Sequence, residues 1–214
     1  MAPVNGRPFI EWVVRWLKKG GIEHVVISTG YRSEALEQHF LNQPVSGVNV
    51  SCVREPEPLG TGGAIRYAVE KSKLTPNRWL VMNGDSLIFA DIHSVFGDRR
   101  SIDGIIVTRE VPDASRYGSV LVGSDGIIRS FSEKKGGGGM INGGIYLLPH
   151  KLIEWFPPLT PLSLEKEVIP NVIARGGRLL AYKTDAAFLD IGTPESLLHA
   201  ERFVCNNMDQ FDHA

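Results

Sequence analysis

His24-Val25-Val26-Ile27-Ser28-Thr29, closed by Gly30, is a continuous and mostly β-branched run. Such a run suits a strand buried on both faces, the normal situation in a parallel sheet. Upstream, Phe9, Ile10, Val13, Val14 and Leu17 carry the i, i+3/i+4 spacing of an amphipathic helix. Pro8 stands at its first helical position and Gly20-Gly21 ends it. Downstream, Tyr31 to Leu41 is again helical in period, with Ala35, Leu36 and Phe40 on one side. Val48-Asn49-Val50-Ser51-Cys52-Val53 then alternates as a second strand, Ala64 to Val69 reads as the next helix, and Trp79-Leu80-Val81-Met82 as a third strand. Helices and strands that alternate in this way build βαβ units, and hence a parallel sheet with right-handed crossovers.

The second half follows a different pattern. Ile105–Thr108, Ser119–Val122 and Ile127–Phe131 read as short strands, the last two joined by the turn Gly123-Ser124-Asp125-Gly126. Gly136–Gly139 is expected to be a flexible break before the apolar run Ile145–Leu148. Helices are expected around Lys151–Phe156 and Ser163–Ala174, then a strand at Arg178–Lys183 and a last helix opening at Thr193-Pro194-Glu195. The expected architecture is α/β with a smaller mixed β portion, all in one domain over residues 1–204. Residues 205–214 read as a polar tail that frays.

Composition limits what such a domain does. The chain has 214 residues, 23 Lys+Arg against 24 Asp+Glu, and a formal net charge of −1. That length buries a core without disulfides, and the balance of charge argues against a bulk electrostatic grip on nucleic acid or an anionic membrane. Two cysteines, Cys52 and Cys205, make no disulfide framework, which points to a reducing cytoplasm. No stretch approaches the roughly 20 apolar residues that span a bilayer, and no secretory leader is expected at the start. The six histidines have no metal-ligand spacing, and no Gly-x-Ser-x-Gly elbow occurs.

Several strings carry polar chemistry at the ends of these elements. Asp85 of Asn83-Gly84-Asp85 follows the strand 79–82, where ligands gather in a parallel α/β sheet; it reads equally as a residue capping the next turn. Asp190 of Leu189-Asp190-Ile191-Gly192-Thr193 stands at a second such junction and has the same two readings. Two aspartates so placed are what a divalent ion bridging phosphates requires, because Mg²⁺ takes hard oxygen and few protein carboxylates. Glu55-Pro56-Glu57-Pro58-Leu59-Gly60-Thr61-Gly62-Gly63-Ala64 is either an ordinary Pro/Gly loop or a place where backbone approaches a flat ring closely. It is neither a dinucleotide fingerprint nor a Walker A loop. Lys134 of Ser132-Glu133-Lys134-Lys135 is a point charge suited to a phosphate, or simply a solvated loop charge.

Taken in order, PVNGRP, EPEPLGTGGA, NGD, RYGSV, SEK, INGGIY, SLE and DIGTPE resemble the sugar-1-phosphate nucleotidyltransferases. Among these the likeness is greatest to the D-glycero-D-manno-heptose 1-phosphate guanylyltransferases and related mannose-1-phosphate guanylyltransferases. It runs over roughly residues 1 to 204. It implies a Rossmann-like three-layer α/β fold with a mostly parallel mixed sheet, and a reaction in which a sugar 1-phosphate attacks the α-phosphorus of a nucleoside triphosphate and releases pyrophosphate. It implies that Asp85 and Asp190 bind Mg²⁺ and that Lys134 holds the sugar phosphate. Glu55, Gly60 and Thr61 fall on the nucleotide side; Gly118, Glu133, Asn142 and Glu165 fall on the sugar side. A carboxylate at position 55 favours GTP, since guanine N1–H and the N2 amine form a donor pair for it. The partners are then a nucleoside triphosphate and a sugar 1-phosphate, with homo-oligomerisation open and neither nucleic acid nor membrane involved.

One departure matters. The family opens with a strand, a Gly-Gly-x-Gly-Thr-Arg-like loop that cradles the triphosphate, and a Lys-Pro. The 214 residues contain no such loop. The expectation is an N-terminally truncated domain lacking its first strand, a central one between residues 25–29 and 79–82. Each backbone group left unpaired by that loss costs about 1–3 kcal/mol. On this reading the chain is inactive or weakly active, or else a non-catalytic sugar-phosphate and nucleotide-binding protein derived from the family. A glycosyltransferase is disfavoured because no Asp-x-Asp occurs.

Overall fold

The computed structural model describes residues 2–30, 33–97, 102–132 and 137–211. The strands are β1 (Pro3–Val4), β2 (Arg7–Pro8), β3 (His24–Thr29), β4 (Asn49–Arg54), β5 (Arg78–Met82) and β6 (Ser86–Ile88). They continue with β7 (Gly104–Val111), β8 (Ser119–Val122), β9 (Ile128–Ser132), β10 (Gly139–Pro149), β11 (Leu179–Lys183) and β12 (Phe188–Asp190). The helices are α1 (Phe9–Lys19), α2 (Ser33–Asn42), α3 (Gly60–Ser72), α4 (Ile92–Phe96), α5 (His150–Glu154), α6 (Ile169–Ala174), α7 (Pro194–Leu197) and α8 (Ala200–Asn206). The chain divides into two compact units: one of Met1–Pro56, Asn83–Asp91 and Ala186–Ala214, the other of Glu57–Met82 and Ile92–Asp185.

In the first unit the Pro-Val-Asn-Gly-Arg-Pro string folds as a hairpin, β1 against β2. Asn5 and Gly6 both take positive φ, 48° and 76°, the pairing that a two-residue type I′ turn needs. Trp12 Nε1 donates to the Val4 carbonyl at 2.9 Å and fastens the hairpin to α1. The expected β3–α2–β4 unit is present: β3 and β4 pair in parallel from His24 opposite Asn49 to Thr29 opposite Arg54. Val14 of α1, Phe40 of α2 and Val45 form its core, with Val25, Ile27 and Val50 against them. This sheet has two strands, and its outer edges have no further strand partner among the described residues.

Glu11 on α1 is fully buried. Its carboxylate accepts from Arg7, from Arg15 Nε at 2.9 Å and from His39 Nε2 at 2.7 Å. Burial disfavours the charge, but the Arg15 and His39 hydrogen bonds and the Arg7 charge outweigh it and hold the carboxyl below the usual glutamate range. The Arg7-x₃-Glu11-x₃-Arg15 spacing, one helical turn each way, is the signal in the sequence that marks this group.

As far as Phe211 the C-terminal segment corrects the expectation of a fraying tail; residues 212–214 lie outside the described residues. The last helix opens as expected at Thr193, whose side chain accepts from Ser196 N–H, with Pro194 in the first turn. It breaks after α7, resumes as α8, and ends in a 3₁₀ turn over Met208–Gln210. Phe211 is then 1% exposed, its ring edge-on to Trp12 at 5.0 Å and to Phe89 at 5.5 Å. One aromatic side chain in an otherwise polar stretch is enough to dock it.

The second unit is built on β10, which is antiparallel to β5, β7 and β8; β11 pairs in parallel with β7, and β9 antiparallel with β8. Strands β5, β7, β8 and β11 therefore run one way and β9 and β10 the other, in one mixed six-stranded sheet. β10 begins at Gly139 rather than at the apolar run, because Gly139–Asn142 pair with Thr108–Val111 before the register shifts between Asn142 and Tyr146. Ile106, Ile128, Tyr146, Leu148, Ile153, Leu164 and Ile169 fill the core beneath it. The helix expected at 163–174 is split: Leu164–Val168 is a π-helical turn, capped by Ser163, and α6 follows. No helix among the described residues is long and apolar enough to cross a membrane. Replacing Phe211 by Ala is expected to cost about 3–5 kcal/mol in guanidinium unfolding; a loss under about 1 kcal/mol contradicts a docked ring.

Candidate active site

In the first unit, β6 and β12 pair antiparallel, and the register sets Asp190 opposite Ser86. The Ser86 hydroxyl lies 3.2 Å from Asp85 Oδ1 and 3.3 Å from Asp190 Oδ2. Its single proton is shared between two carboxylates. Asp190 Oδ1 also accepts from Gly192 N–H at 3.0 Å, and the Asp85 carbonyl accepts from Ile191 N–H at 2.8 Å. A strand follows Asp85, and Thr193 caps α7, while the Asp190–Gly192 bond closes the turn just ahead of that cap, so Asp190 keeps a local structural part as well. Asp85 is exposed and Asp190 half-buried, so the pair can take a hydrated ion. No group of three or more His, Cys, Asp or Glu that could hold a metal occurs among the described residues. Two hard-oxygen donors with water and phosphate around them are nevertheless a sufficient protein share for Mg²⁺. The like charges of the two carboxylates give such an ion its attraction.

Glu55 follows β4 directly. Its N–H donates to the Thr29 carbonyl at 2.8 Å, extending the β3–β4 ladder by one bond. Its Oε1 accepts from Ser28 Oγ at 2.9 Å. The carboxylate thus stands at the carboxyl ends of two parallel strands, where α/β sheets take ligands.

In the second unit, α3 begins at Gly60, four residues earlier than the sequence indicates, and the glycines explain it. A Cβ at Gly60 would lie 2.8 Å from the Leu162 carbonyl oxygen, and one at Gly63 would lie 2.5 Å from that of Thr160. Gly60 also has φ +66°, a conformation that glycine adopts without strain. The Leu59–Gly63 turn is stitched to the 160–164 segment. Leu162 N–H donates to Leu59 O at 2.8 Å and Gly62 N–H to Leu162 O at 2.8 Å.

That stitching carries Thr61 to Glu165. The Thr61 hydroxyl accepts from Leu164 N–H at 2.8 Å and donates to Glu165 Oε2 at 2.9 Å. Glu165 Oε1 accepts from the Tyr146 hydroxyl at 2.9 Å, which itself accepts from Asn142 Nδ2. Asn142 Oδ1 accepts from Gly144 N–H at 3.0 Å, which fixes the amide's orientation, and Asn142 N–H donates to the Gly118 carbonyl at 3.0 Å. Tyr146 is buried; burial and the Glu165 charge push its phenol well above the usual tyrosine range. It therefore stays protonated and donates. Of the expected sugar-side positions, Gly118, Asn142 and Glu165 are brought together. Glu133 and Lys134 lie outside the described residues. Sequence reasoning missed the roles of Ser86 and Tyr146: Ser86 follows the NGD string and Tyr146 ends the INGGIY string, and neither residue type suggests chemistry by itself.

Residues 1–207 match the family model described as nucleotidyl transferase. The chain is 34% identical over 208 residues to a D-glycero-alpha-D-manno-heptose 1-phosphate guanylyltransferase of Campylobacter jejuni, covering 97% of this chain and 89% of the relative. It is 32% identical over 205 residues to the protein of the same name from Aneurinibacillus thermoaerophilus, covering 94% and 87%. The crystal structure of HddC from Yersinia pseudotuberculosis complexed with GMP-PN superposes with a TM-score of 0.84 at 31% identity, over 94% of this chain and 88% of that one. These likenesses bear out the α/β nucleotidyltransferase fold.

The glycine argument is directly testable. Gly63→Ala must displace the backbone at Thr160 and is expected to cost about 1–3 kcal/mol. Gly139→Ala, where an added Cβ meets nothing within 4 Å, is expected to be neutral or to stabilise by up to about 1 kcal/mol. Equal melting temperatures for the two variants contradict the stitched turn.

Proposed function

The chain belongs to the nucleotidyl transferase family, and on that premise we propose that it transfers GMP from GTP to a sugar 1-phosphate of the heptose or mannose class. The observation that carries this reading is the carboxylate pair Asp85 and Asp190, held on one strand pair about a shared serine hydroxyl. Supporting the sugar class, the two heptose 1-phosphate guanylyltransferases match over nearly the whole chain.

A sugar-phosphate oxygen attacks the α-phosphorus, the α–β P–O bond breaks, and its electron pair leaves with pyrophosphate. Little covalent work falls to the protein, so catalysis is positioning and charge stabilisation. Asp85 and Asp190 would hold Mg²⁺, which when bound supplies charge neutralisation at the α-phosphate. Glu55 accepts from guanine N1–H and N2, the Gly60 backbone contacts the base edge, and Thr61 lies beside it on the nucleotide side. Lys134 holds the sugar phosphate. Gly118 through its backbone, with Glu133, Asn142 and Glu165 through their side chains, takes the sugar hydroxyls. A cytoplasmic setting, with no part for nucleic acid or membrane, belongs to the same reading.

Pyrophosphate release from GTP that requires both heptose 1-phosphate and Mg²⁺ is the expected result; release that ignores the sugar phosphate overturns this reading.

Asp85→Asn is expected to lower kcat/KM by at least about 100-fold, worth about 2.7 kcal/mol of transition-state stabilisation, with an unchanged unfolding midpoint. Retained activity removes Asp85 from the metal site. Glu55→Gln is expected to narrow the preference for GTP over UTP by about 10-fold, the scale of one charge-assisted contact; an unaltered ratio overturns the carboxylate's role in reading the base.

A further inference from the structure

The hydrogen bonds around Glu165 connect two stretches that the proposed function assigns to different substrates. Gly60 is assigned to the nucleotide and Glu165 to the sugar, and Thr61 bonds to the segment that carries Glu165. Its hydroxyl makes both of its bonds to that segment, accepting from Leu164 N–H at 2.8 Å and donating its proton to Glu165 Oε2 at 2.9 Å. Two backbone bonds on the same seam, Leu162 N–H to Leu59 O and Gly62 N–H to Leu162 O, remove slack between the turn and the segment. At Gly60 and Gly63 the two backbones run too close to admit a Cβ between them, which would lie 2.8 and 2.5 Å from the facing carbonyl oxygens. Glu165 lies on the π-helical turn Leu164–Val168, a rare geometry that concentrates at functional positions. From the other side Tyr146, protonated and buried, donates to Glu165 Oε1 at 2.9 Å. The carboxylate is therefore held at both oxygens, by Tyr146 from β10 at Oε1 and by Thr61 from the turn at Oε2, where the Ser163 hydroxyl adds a longer bond at 3.4 Å.

We propose that Thr61 is a positioning residue that couples the two substrate subsites, by fixing Glu165 to the same turn that meets the nucleotide; this rests on the guanylyltransferase reading above. Ordering the turn around a nucleotide orders Glu165 with it, so less remains to be ordered when the sugar phosphate binds. By linkage the reverse holds to the same degree. Tyr146 is the fixed support against which Thr61 works.

Calorimetry tests this with two probes: heptose 1-phosphate, and the non-hydrolysable α,β-methylene analogue of GTP with Mg²⁺. In the unmodified chain, saturating nucleotide analogue is expected to raise the affinity for heptose 1-phosphate at least about fivefold, the lower end of ordinary coupling. Thr61→Val, isosteric but without the hydroxyl, is expected to bring that factor below about twofold, and Thr61→Ser to restore it, at equal melting temperatures. Tyr146→Phe is expected to weaken heptose 1-phosphate binding whether or not the analogue is present. A purely structural part for Thr61 would lower stability in Thr61→Val and leave the coupling factor alone. If both probes bind independently in the unmodified chain, or if Thr61→Val keeps the full factor, the coupling proposal is overturned and the function reading stands. If neither probe binds, the function reading fails and the proposal with it.

Discussion

Backbone pairing between segments distant in sequence is the constraint on which both units rest. In the first unit, three residues of β6 meet three of β12, across a separation of 104 positions between Ser86 and Asp190. Leu87 and Ile88 are wholly buried and Leu189 nearly so, so this small ladder is core on both faces and carries its acids together at one end, where Asp190 pairs with Ser86. Shift the register by one residue and every side chain changes face; Ser86 would no longer lie between two carboxylates. In the second unit β10 has the corresponding part. It carries β7 along one edge and both β5 and β8 along the other, and its irregular stretch at Gly143–Ile145 separates Asn142 from Tyr146. The polar chain that ends on Glu165 starts from those two residues.

The elements legible in the sequence were those long enough to show a period. α1, β3, α2 and β4 announce themselves through apolar spacing and the glycines that end them, and they form close to the residues expected. β6 and β12 do not, since three residues have no periodicity and their pairing is settled by contacts a hundred positions away. The Asn5-Gly6 hairpin was readable in principle from its dipeptide, yet two-residue strands give no run to bracket it. Glu11 was readable from its flanking arginines, but its complete burial was not. Of the candidate site, the acids and the sugar-side residues were recognisable by motif order, whereas the hydroxyls that join them, Ser86 and Tyr146, depend on tertiary register.

The glycines of Gly60-Thr61-Gly62-Gly63 show how one residue pattern can serve a different physical end from the one first supposed. A glycine-rich stretch before a helix suggests backbone left open for a ligand. Here three of those positions are closed by the protein's own chain, at 2.5–3.1 Å from an imagined Cβ. Their smallness lets a helix start lie directly on a neighbouring segment. Whatever the turn does toward a nucleotide, it does as part of a double layer of backbone, stiffer than a free loop. Stiffness of that kind keeps the Glu165 carboxylate in one geometry without a buried ion pair to hold it.

Long-range assembly of the first unit also has a consequence in time. A chain made from its N-terminus presents Asp85 well before Asp190 exists. At about 5–20 residues per second, the 104 positions separating Ser86 from Asp190 represent roughly 5–20 s of synthesis. Only after Phe211 follows can the aromatic cluster around Trp12 and Phe89 close. The acid pair is thus among the last features to form on a growing chain, and a polypeptide cut short before β12 has Asp85 and Ser86 with no strand to set a second carboxylate opposite them.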